Sequence, residues 1–310
     1  MDPLSDILTM LTVRRVAQAR FESRGPYTLR FAPYEHMKFG AVLCGRMRIL
    51  LEGLPPLDLH SGDCYLLTDG RPHRSDSGEG GPALDGDALF AEGRDEDGVV
   101  RLGGGPHDKV VLAGGFVFDE EGAAWLRSAL PPVIHIAASS PAAAPLRETL
   151  RLLNVERQVG APGEAVIVDR LADILLVQAI RAHLAGAGPQ EASWLAGLAD
   201  PRLGRALRRL HEDVAADWTV AKLASAAGMS RSSFAQRFRE RVGMAPADYL
   251  MRWRMYRVRR SLMHTDLSFS VIAAQNGYRS RTSCSQSFKK MFGYSPEGLR
   301  SRCALAHSSV

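Results

Sequence analysis

The spacing of apolar residues changes about halfway along the chain. From residue 13 to about 135, apolar residues form short runs, such as 39–43 and 47–51, between turn sequences rich in glycine, proline and aspartate. Runs this short predict β-strands, and many strands separated by turns favour a barrel or a sandwich. The stretch 76–105 has little periodicity and predicts a long mobile loop, in which 88–90 is at most a strand fragment.

Helical spacing begins after the prolines at 131 and 132. Apolar residues then recur at helical intervals in 145–159 and 164–184, and again from residue 194 to residue 302. The pattern therefore predicts a chain of the α+β class. Its three parts are a β-rich domain at 1–140, a helical connector at 141–190 and an all-α domain at 197–305.

Two segments in the helical half repeat one another. Residues 221–246 align with residues 270–296, and Phe238 of the first corresponds to Phe288 of the second. In the first segment a helix ends at Gly228, because glycine adopts the left-handed conformation easily, and a serine then caps the next helix. Helix, tight turn and helix make up the helix-turn-helix motif, whose second helix enters the major groove of DNA.

The second helix of each segment has one apolar and one polar face. In the first segment Phe234, Phe238 and Val242 recur at intervals of four and face inward. Polar side chains on the opposite face can bind base edges and phosphates. The candidate DNA-contacting residues are Arg231, Ser232, Ala235, Gln236, Arg239, Ser280, Arg281, Thr282, Ser285, Gln286 and Lys289. A plain helical bundle with a basic, solvated surface is the alternative interpretation.

A helical stretch at 247–263 joins the two segments. At 1.5 Å per residue it spans about 25 Å, which suits two reading helices about 34 Å, or one DNA turn, apart. Five arginines lie along this stretch, and we expect some to contact phosphates and others to pair internally. They are Arg252, Arg254, Arg257, Arg259 and Arg260.

The distribution of charge separates the two halves. The net charge is +5, but the residues from 200 onward hold 20 basic and 8 acidic side chains, a net charge of +12. A basic domain joined to an acidic one is typical of a protein that binds a polyanion. Together with the two motifs, this favours double-stranded DNA as the partner over a protein-interaction bundle for RNA polymerase.

The motifs in both halves resemble a known family. WTVAKLASAAGMSRSSFAQRF and FKKMFGYSP are similar to the C-terminal domain of AraC-type (arabinose-operon regulator) transcription factors, over about residues 197–302. DPLSD, KFGAVL and SGDCYLLTDGRPHR resemble the cupin-type sensor half of a subgroup of this family. The resemblance implies a multidomain protein with an N-terminal cupin-like β-barrel, a helical connector and a C-terminal all-α tandem helix-turn-helix domain. It also implies a transcription regulator that acts with RNA polymerase and senses a small molecule or an oxidant.

The candidate effector residues lie in the barrel half. They are His36, Cys44, Cys64, His73 and His107, and the resemblance implies that His73 faces the ligand. These histidines are either metal ligands or structural residues, and the usual cupin enzyme pattern of two histidines one residue apart is absent from the sequence. The two cysteines are either a redox switch or small buried residues. We predict no cofactor, and a metal bound in the cupin domain is the alternative.

Several classes of protein are excluded by the sequence. No apolar run approaches the ~18 residues of a membrane span, the N-terminus is acidic, unlike a secretory signal, and the four cysteines form no CxxC pair. We therefore predict a cytoplasmic protein that is not an enzyme. The alternative is a metal-dependent cupin enzyme fused to a nucleic-acid-binding module.

The helix predicted at 164–184 has a wide apolar face. One helix on a barrel buries one face, so packing against 145–159 explains part of this width. A homodimer contact would explain the rest.

Overall fold

The chain divides into two compact units. The computed structural model describes residues 2–9, 13–96, 98–118, 120–186 and 192–307, with the side chains of 13–18, 120–123 and 303–307 excepted. Thr12–Gly188 forms the barrel unit. Met1–Leu11 and Pro189–Val310 together form the helical unit.

Strands are confined to the barrel unit in the described part of the chain. They are β1 (Val13–Ser23), β2 (Thr28–Phe31), β3 (Met37–Cys44), β4 (Arg46–Leu51), β5 (Leu57–His60), β6 (Cys64–Leu67), β7 (His73–Asp76), β8 (Ala83–Asp85), β9 (Val99–Leu102), β10 (Lys109–Phe118) and β11 (Val133–Ile136). The helices of the whole chain are α1 (Pro3–Leu8), α2 (Gly86–Glu92), α3 (Glu120–Arg127), α4 (Ala143–Val159), α5 (Glu164–Gly186), α6 (Trp194–Ala199), α7 (Pro201–Glu212), α8 (Val220–Ala227), α9 (Arg231–Val242), α10 (Pro246–His264), α11 (Phe269–Gln275), α12 (Arg281–Phe292) and α13 (Pro296–His307).

Two sheets build the barrel unit. Among the described residues, one sheet has the strand order β11-β6-β3-β10-β1-β9 and the other the order β5-β4-β7-β2-β8. The pairs β1–β9 and β2–β8 are parallel, whereas the remaining pairs are antiparallel. Side chains from both sheets form one core, in which Phe21, Leu29, Val42 and Ile49 are buried. The predicted β-rich N-terminal half is thus confirmed.

The segment predicted as a mobile loop at 76–105 is largely regular. It contains β8, α2 and β9, and residues 88–90 lie in α2 rather than in a strand. The Asp85 carboxylate caps α2 by accepting a hydrogen bond from the Ala88 backbone N–H (3.0 Å). The loop prediction is wrong because these short elements depend on tertiary packing, which leaves no long periodic pattern in the sequence.

The predicted connector helices belong to the barrel unit. α4 and α5 pack on one another and on strands of the sheet that contains β6 and β11. The Thr149 hydroxyl of α4 donates a hydrogen bond to Gln178 Oε1 of α5 (3.0 Å). Both helices also carry exposed, large apolar side chains. These are Leu152, Val155 and Val159 on α4, and Val166, Ile167 and Ile174 on α5.

The helical unit includes an element from the N-terminal end of the chain. α1 packs against α6 and α7, and Ile7 is 1% exposed. A carboxylate oxygen of Asp6 lies 3.3 Å from Nδ1 of His211, whose Nε2 lies 2.9 Å from the Tyr249 hydroxyl. The predicted boundary at 1–140 places α1 with the barrel, whereas the burial of its apolar side chain places it in the helical unit.

A long helix runs through the middle of the helical unit. α10 covers the predicted stretch and measures about 28 Å at 1.5 Å per residue. Its Trp253 is fully buried, and Met255, Val258 and Leu262 form a core with α11 and α12. In the described ranges no helix, α10 included, is both long and apolar enough to cross a membrane.

Candidate functional site

The first helix-turn-helix motif consists of α8 and α9. The Thr219 hydroxyl caps α8 by accepting a hydrogen bond from the Lys222 N–H (3.2 Å). Gly228 ends α8 in the left-handed conformation, with φ of 65°. The Ser230 hydroxyl then caps α9 by accepting from the Ser233 N–H (3.2 Å). The helix ends predicted from local sequence are therefore confirmed in this motif.

The second motif, α11 and α12, repeats this geometry. Gly277 has φ of 76°, and the Tyr278 N–H donates a hydrogen bond to the Ala273 carbonyl (3.0 Å), closing the turn. The Ser280 hydroxyl caps α12 by accepting from the Ser283 N–H (3.1 Å). The two segments that repeat in the sequence thus repeat in local structure.

The apolar faces of α9 and α12 are buried in the helical unit. Phe234, Phe238 and Val242 are buried on α9, as are Cys284 and Phe288 on α12. Burial raises the pKa of the Cys284 thiol to about 12, so this cysteine is protonated and packs as a small apolar residue. With these faces buried, only the opposite face of each helix is available to a partner.

The opposite faces carry the predicted DNA-contacting residues. All of them are exposed except Ala235 and Ser285, which are half-buried. The exposed ones are Arg231, Ser232, Gln236, Arg239, Ser280, Arg281, Thr282, Gln286 and Lys289. Gln236 donates a hydrogen bond to Glu240 (2.9 Å), and Arg281 donates one to Glu297 (2.7 Å). Hydrogen bonds to Arg281 and to its own backbone hold the pKa of the Glu297 carboxyl below its usual value.

The five arginines of α10 divide between packing and solvent. Three of them bind neighbouring groups of the helical unit: Arg254 binds the Val214 and Ala216 carbonyls, Arg257 binds the Asn276 side chain and Arg259 binds the Tyr294 hydroxyl. Arg252 is half-buried and Arg260 is exposed. The expected internal pairing is confirmed for the first three, while contact of Arg252 or Arg260 with a phosphate stays a prediction.

The barrel unit contains a cavity of about 190 Å³. Apolar side chains form most of its wall, among them Phe21, Leu29, Phe39, Met47, Ile49 and Leu67. The polar side chains that line it are His36, Lys38, Tyr65, His73, Ser75, Asp87 and Arg94. Of the predicted effector residues, His36 and His73 lie at this cavity.

His73 is buried against aromatic rings beside the cavity. Its ring stacks on Phe31, with centroids 4.6 Å apart and planes 11° apart, and meets Tyr34 edge-on at 5.6 Å. Burial lowers the pKa of His73 to about 3, so its imidazole is neutral at pH 7. Nδ1 of His73 is buried and has no hydrogen-bond partner among the described residues. An unpaired buried nitrogen of this kind costs free energy until a partner reaches it.

Lys38 places a positive charge at the same cavity. Its Nζ lies 4.2 Å from the ring centroid of Phe31 and 4.3 Å from that of Tyr34. The nearest carboxylate oxygen, of Asp87, is 3.8 Å away. Burial lowers the pKa of Lys38 to about 8, although Asp87 acts in the opposite direction. A lysine with these surroundings is a candidate for contact with an anionic ligand.

Sequence reasoning missed Lys38, Asp87 and Arg94. One signal was available for Lys38, because it stands between Met37 and Phe39 at the start of an otherwise apolar strand. The other two lie in the segment predicted as a loop.

The remaining predicted effector residues lie elsewhere in the barrel unit. Cys64 is buried, and burial raises the pKa of its thiol to about 11, while Cys44 is exposed at the end of β3. His107 lies 3.4 Å from a Glu22 carboxylate oxygen. In the part of the chain that the structure describes, no group of three or more His, Cys, Asp or Glu side chains is placed to hold a metal ion.

Two family models match the chain. A cupin model matches residues 2–185, and a helix-turn-helix domain model matches residues 223–302. Among solved structures, the DNA-binding domain of AdpA in complex with a target DNA is 31% identical over 33% of this chain and 92% of that chain, with a TM-score of 0.32. The family models agree with the two units described above, except that the cupin model also covers α1, which belongs to the helical unit.

Two relatives match the chain over almost its whole length. A putative AraC-like transcription regulator of Streptomyces lividans is 38% identical over 301 residues, or 97% of this chain and 98% of the relative. The HTH-type transcriptional regulator AlkR of Acinetobacter baylyi is 30% identical over 310 residues, or 97% of this chain and 99% of the relative. On these matches, the chain belongs to the AraC-like family of DNA-binding transcription regulators, with a cupin domain before its helix-turn-helix domain.

Proposed function

We propose that α9 and α12 read a specific DNA sequence in successive major grooves, and that a small molecule bound in the barrel cavity controls this reading. The observation that supports the DNA-reading role is that two helices with the same caps and turns both bury their apolar face and expose a polar one. A helix-turn-helix motif uses this exposed face of its second helix to reach base edges.

Within this interface we assign two kinds of contact. Gln236 and Arg281 carry donors that match purine edges in the major groove, and they would give sequence specificity. Lys289, Lys290 and Arg260 would bind phosphates, which gives affinity for any duplex and a dependence on salt. The remaining exposed residues of the two faces would contact bases or sugar-phosphate according to the register of each helix.

For the barrel unit, we propose a sensor of a small molecule rather than of an oxidant. A redox switch between the two barrel cysteines requires an accessible thiolate beside a second reactive thiol. Cys44 is exposed, but the high pKa and burial of Cys64 disfavour Cys64 as its partner. The apolar cavity with a few polar groups is typical of a ligand site. We propose binding and not catalysis at this cavity, in line with the regulator names of the relatives.

We further propose that the protein acts with RNA polymerase in the cytoplasm, as a homodimer. Support for the dimer comes from the exposed apolar stripes on α4 and α5, because large apolar side chains at helical spacing on a surface mark a contact site. The spacing of Leu152, Val155 and Val159 places all three on one side of α4.

Selection of bound sequences from random duplex DNA tests the reading interface. With the full-length protein, Gln236→Ala should relax the preference at one base position, at a cost of about 1–3 kcal/mol in discrimination. Lys289→Ala should weaken binding to all duplexes alike and reduce the slope of log affinity against log salt by about one.

Gln158→Ala is the matched control, because Gln158 is exposed on α4 in the barrel unit. This variant should leave both the base preference and the salt slope unchanged. An unchanged preference for the Gln236 variant, or recovery of no preferred sequence by the unsubstituted protein, would reject the proposed reading interface.

A further inference from the structure

We propose that the barrel cavity binds a small apolar monocarboxylic acid, with its carboxylate at the Lys38 ammonium and its hydrocarbon body among the apolar walls. The inference rests on the proposed sensor role of the barrel unit and names the chemical class of the effector. It depends on the size of the cavity, the chemistry of its walls and two polar groups at one end.

The size and the walls of the cavity limit what can enter. An apolar cavity of about 150 Å³ holds benzene, and this one measures about 190 Å³, so a ligand of roughly ten non-hydrogen atoms fits. A sugar would place several hydroxyl groups against Phe39, Met47 and Ile49, where they lack hydrogen-bond partners. The walls therefore suit a compact hydrocarbon body.

The Lys38 ammonium can bind a second anion in addition to Asp87. Its side chain is only 16% exposed, while that of Asp87 is 50% exposed, and the two groups meet at 3.8 Å. The other carboxylate oxygen of Asp87 accepts a hydrogen bond from the Ala32 N–H (2.8 Å). Because an ammonium has three donors and Asp87 engages it at the outer limit of an ion pair, a ligand carboxylate can bind Lys38 without displacing Asp87.

His73 offers a second contact at the same end of the cavity. Lys38 and His73 both lie against the rings of Phe31 and Tyr34. The Nδ1 atom of His73 is buried without a partner among the described residues. The Arg71 backbone also hydrogen-bonds the ring, and Nδ1 can donate to a carboxylate in the tautomer that carries its proton. A carboxylate has two oxygens, so one could bind the ammonium and the other the imidazole.

Other ligand classes satisfy these groups less well. A phosphate or a dicarboxylate needs a further buried cation, and the other cation that lines the cavity, Arg94, is exposed and donates to the Phe90 carbonyl (3.2 Å). A neutral hydrocarbon would fill the walls but leave Lys38 and His73 without new partners. A single carboxylate on an apolar body matches both parts of the cavity.

Isothermal titration calorimetry on the full-length protein tests the proposal without DNA. The probes are phenylacetate, benzoate and hexanoate, and phenylacetamide is the uncharged match of the first. We expect saturable binding of at least one acid, and binding of phenylacetamide that is weaker than that of phenylacetate by about tenfold or more.

Substitutions then locate the carboxylate. Lys38→Met should weaken binding of the acid about tenfold or more, and Lys38→Arg should restore it to within about threefold. Asp87→Asn should tighten binding of the acid about threefold, because it removes a negative charge that competes for Lys38. A merely structural role for Asp87 would not explain such an increase in affinity. Arg74→Met is the matched control, because Arg74 is exposed beside His73 on β7, and it should leave the affinity unchanged.

Three outcomes would overturn the inference: equal affinities for phenylacetate and its amide, full affinity in a folded Lys38→Met variant, or no saturable binding of any of the three acids. Circular dichroism on each variant establishes that it is folded. The affinity for the selected DNA, measured with and without the acid, reports separately on the sensor role. If the acid binds as expected and the DNA affinity does not change, the cavity assignment stands and the proposed control of DNA binding fails.

Discussion

At the scale of single residues, Lys38 shows how the surroundings of a proposed ligand-binding group differ from those of a structural one. Its ammonium is buried between two aromatic rings, with one carboxylate at 3.8 Å. The histidines at this cavity could be proposed from the sequence, because few residue types offer their chemistry and one fell at a strand end. For Lys38 the sequence offers one signal, a charge at the start of an apolar strand. Its burial and its carboxylate neighbour could not be predicted, because they depend on α2, which brings Asp87 to the cavity and leaves no clear periodic signal.

Replacing Lys38 by methionine should stabilise the folded protein at neutral pH. Burial lowers the folded-state pKa of Lys38 from 10.5 to about 8, so keeping the charge at pH 7 costs about 1–3 kcal/mol of folding free energy. The folded state releases this proton first, and the wild-type stability therefore rises between pH 8 and pH 10.5. Urea unfolding at pH 7 and at pH 10 should show a larger advantage of Lys38→Met at the lower pH.

The same change at Arg74, which is exposed, should have little effect at either pH. The groups that face Lys38 from neighbouring elements are Asp87, His36, His73 and Arg94. The two imidazoles are already neutral at pH 7, because burial lowers the pKa of each, and do not contribute to this range. A Lys38→Met variant that is less stable than wild type at pH 7 would contradict the prediction.

At the scale of elements, the helix-turn-helix motifs could be predicted closely, whereas the short elements α2 and β9 of the barrel unit could not. Caps and turns such as Ser230, Gly228 and Gly277 depend on residues within a few positions, so the sequence contains what is needed to place them. α2 and β9 are short, and they pack on β2 and pair with β1, respectively, which lie far away in the sequence. Their formation depends on tertiary packing, which a single sequence does not display.

The two turn glycines should differ in their tolerance of alanine. Both have positive φ, which costs a non-glycine residue about 1–2 kcal/mol. A Cβ at Gly277 would lie 2.8 Å from the Ala215 carbonyl oxygen and 2.5 Å from the Arg254 guanidinium, whereas at Gly228 the nearest neighbour, Arg205, is 3.7 Å away. Gly277→Ala should therefore lower the free energy of unfolding by about 1–3 kcal/mol more than Gly228→Ala.

Urea unfolding of the two variants and the wild type measures this difference. Each variant serves as the control for the other, because the backbone conformation is shared and only the surroundings of the added methyl group differ. Equal losses of stability would show that the backbone at Gly277 relaxes away from Ala215.

At the scale of the whole molecule, charge and repeat predicted a basic DNA-binding half joined to an acidic half, and the family resemblance implied that the acidic half is a sensor. The family matches confirm a DNA-binding helix-turn-helix domain that follows a cupin domain. The membership of α1 in the helical unit could not be predicted, because six residues at the far end of the chain carry no mark of the helices they pack on. What covers the exposed apolar side chains of α4 and α5 could not be predicted either, because in the proposed dimer it depends on contacts with a second chain.

Substitution of Ile167 by aspartate should convert a dimer into a monomer. Ile167 is 44% exposed on α5, so the change should disturb an interface while leaving the barrel unit folded. Sedimentation velocity at micromolar protein concentration distinguishes the dimer from the monomer. Leu54→Asp is the control, because Leu54 is also a large exposed apolar residue, 36% exposed, but lies outside α4 and α5. A monomeric wild type, or a dimeric Ile167 variant, would reject the proposed interface.

The packing of α1 has a practical consequence for dissecting the protein. Chain continuity requires the polypeptide to pass between the units twice, once beyond residue 9 and once beyond residue 186. A fragment that starts at residue 192 would contain both motifs yet expose the site that buries Ile7 and leave His211 without Asp6. Expression of the helical unit alone therefore requires residues 2–9 to be joined to it. An affinity tag is better attached at the C-terminus than next to α1.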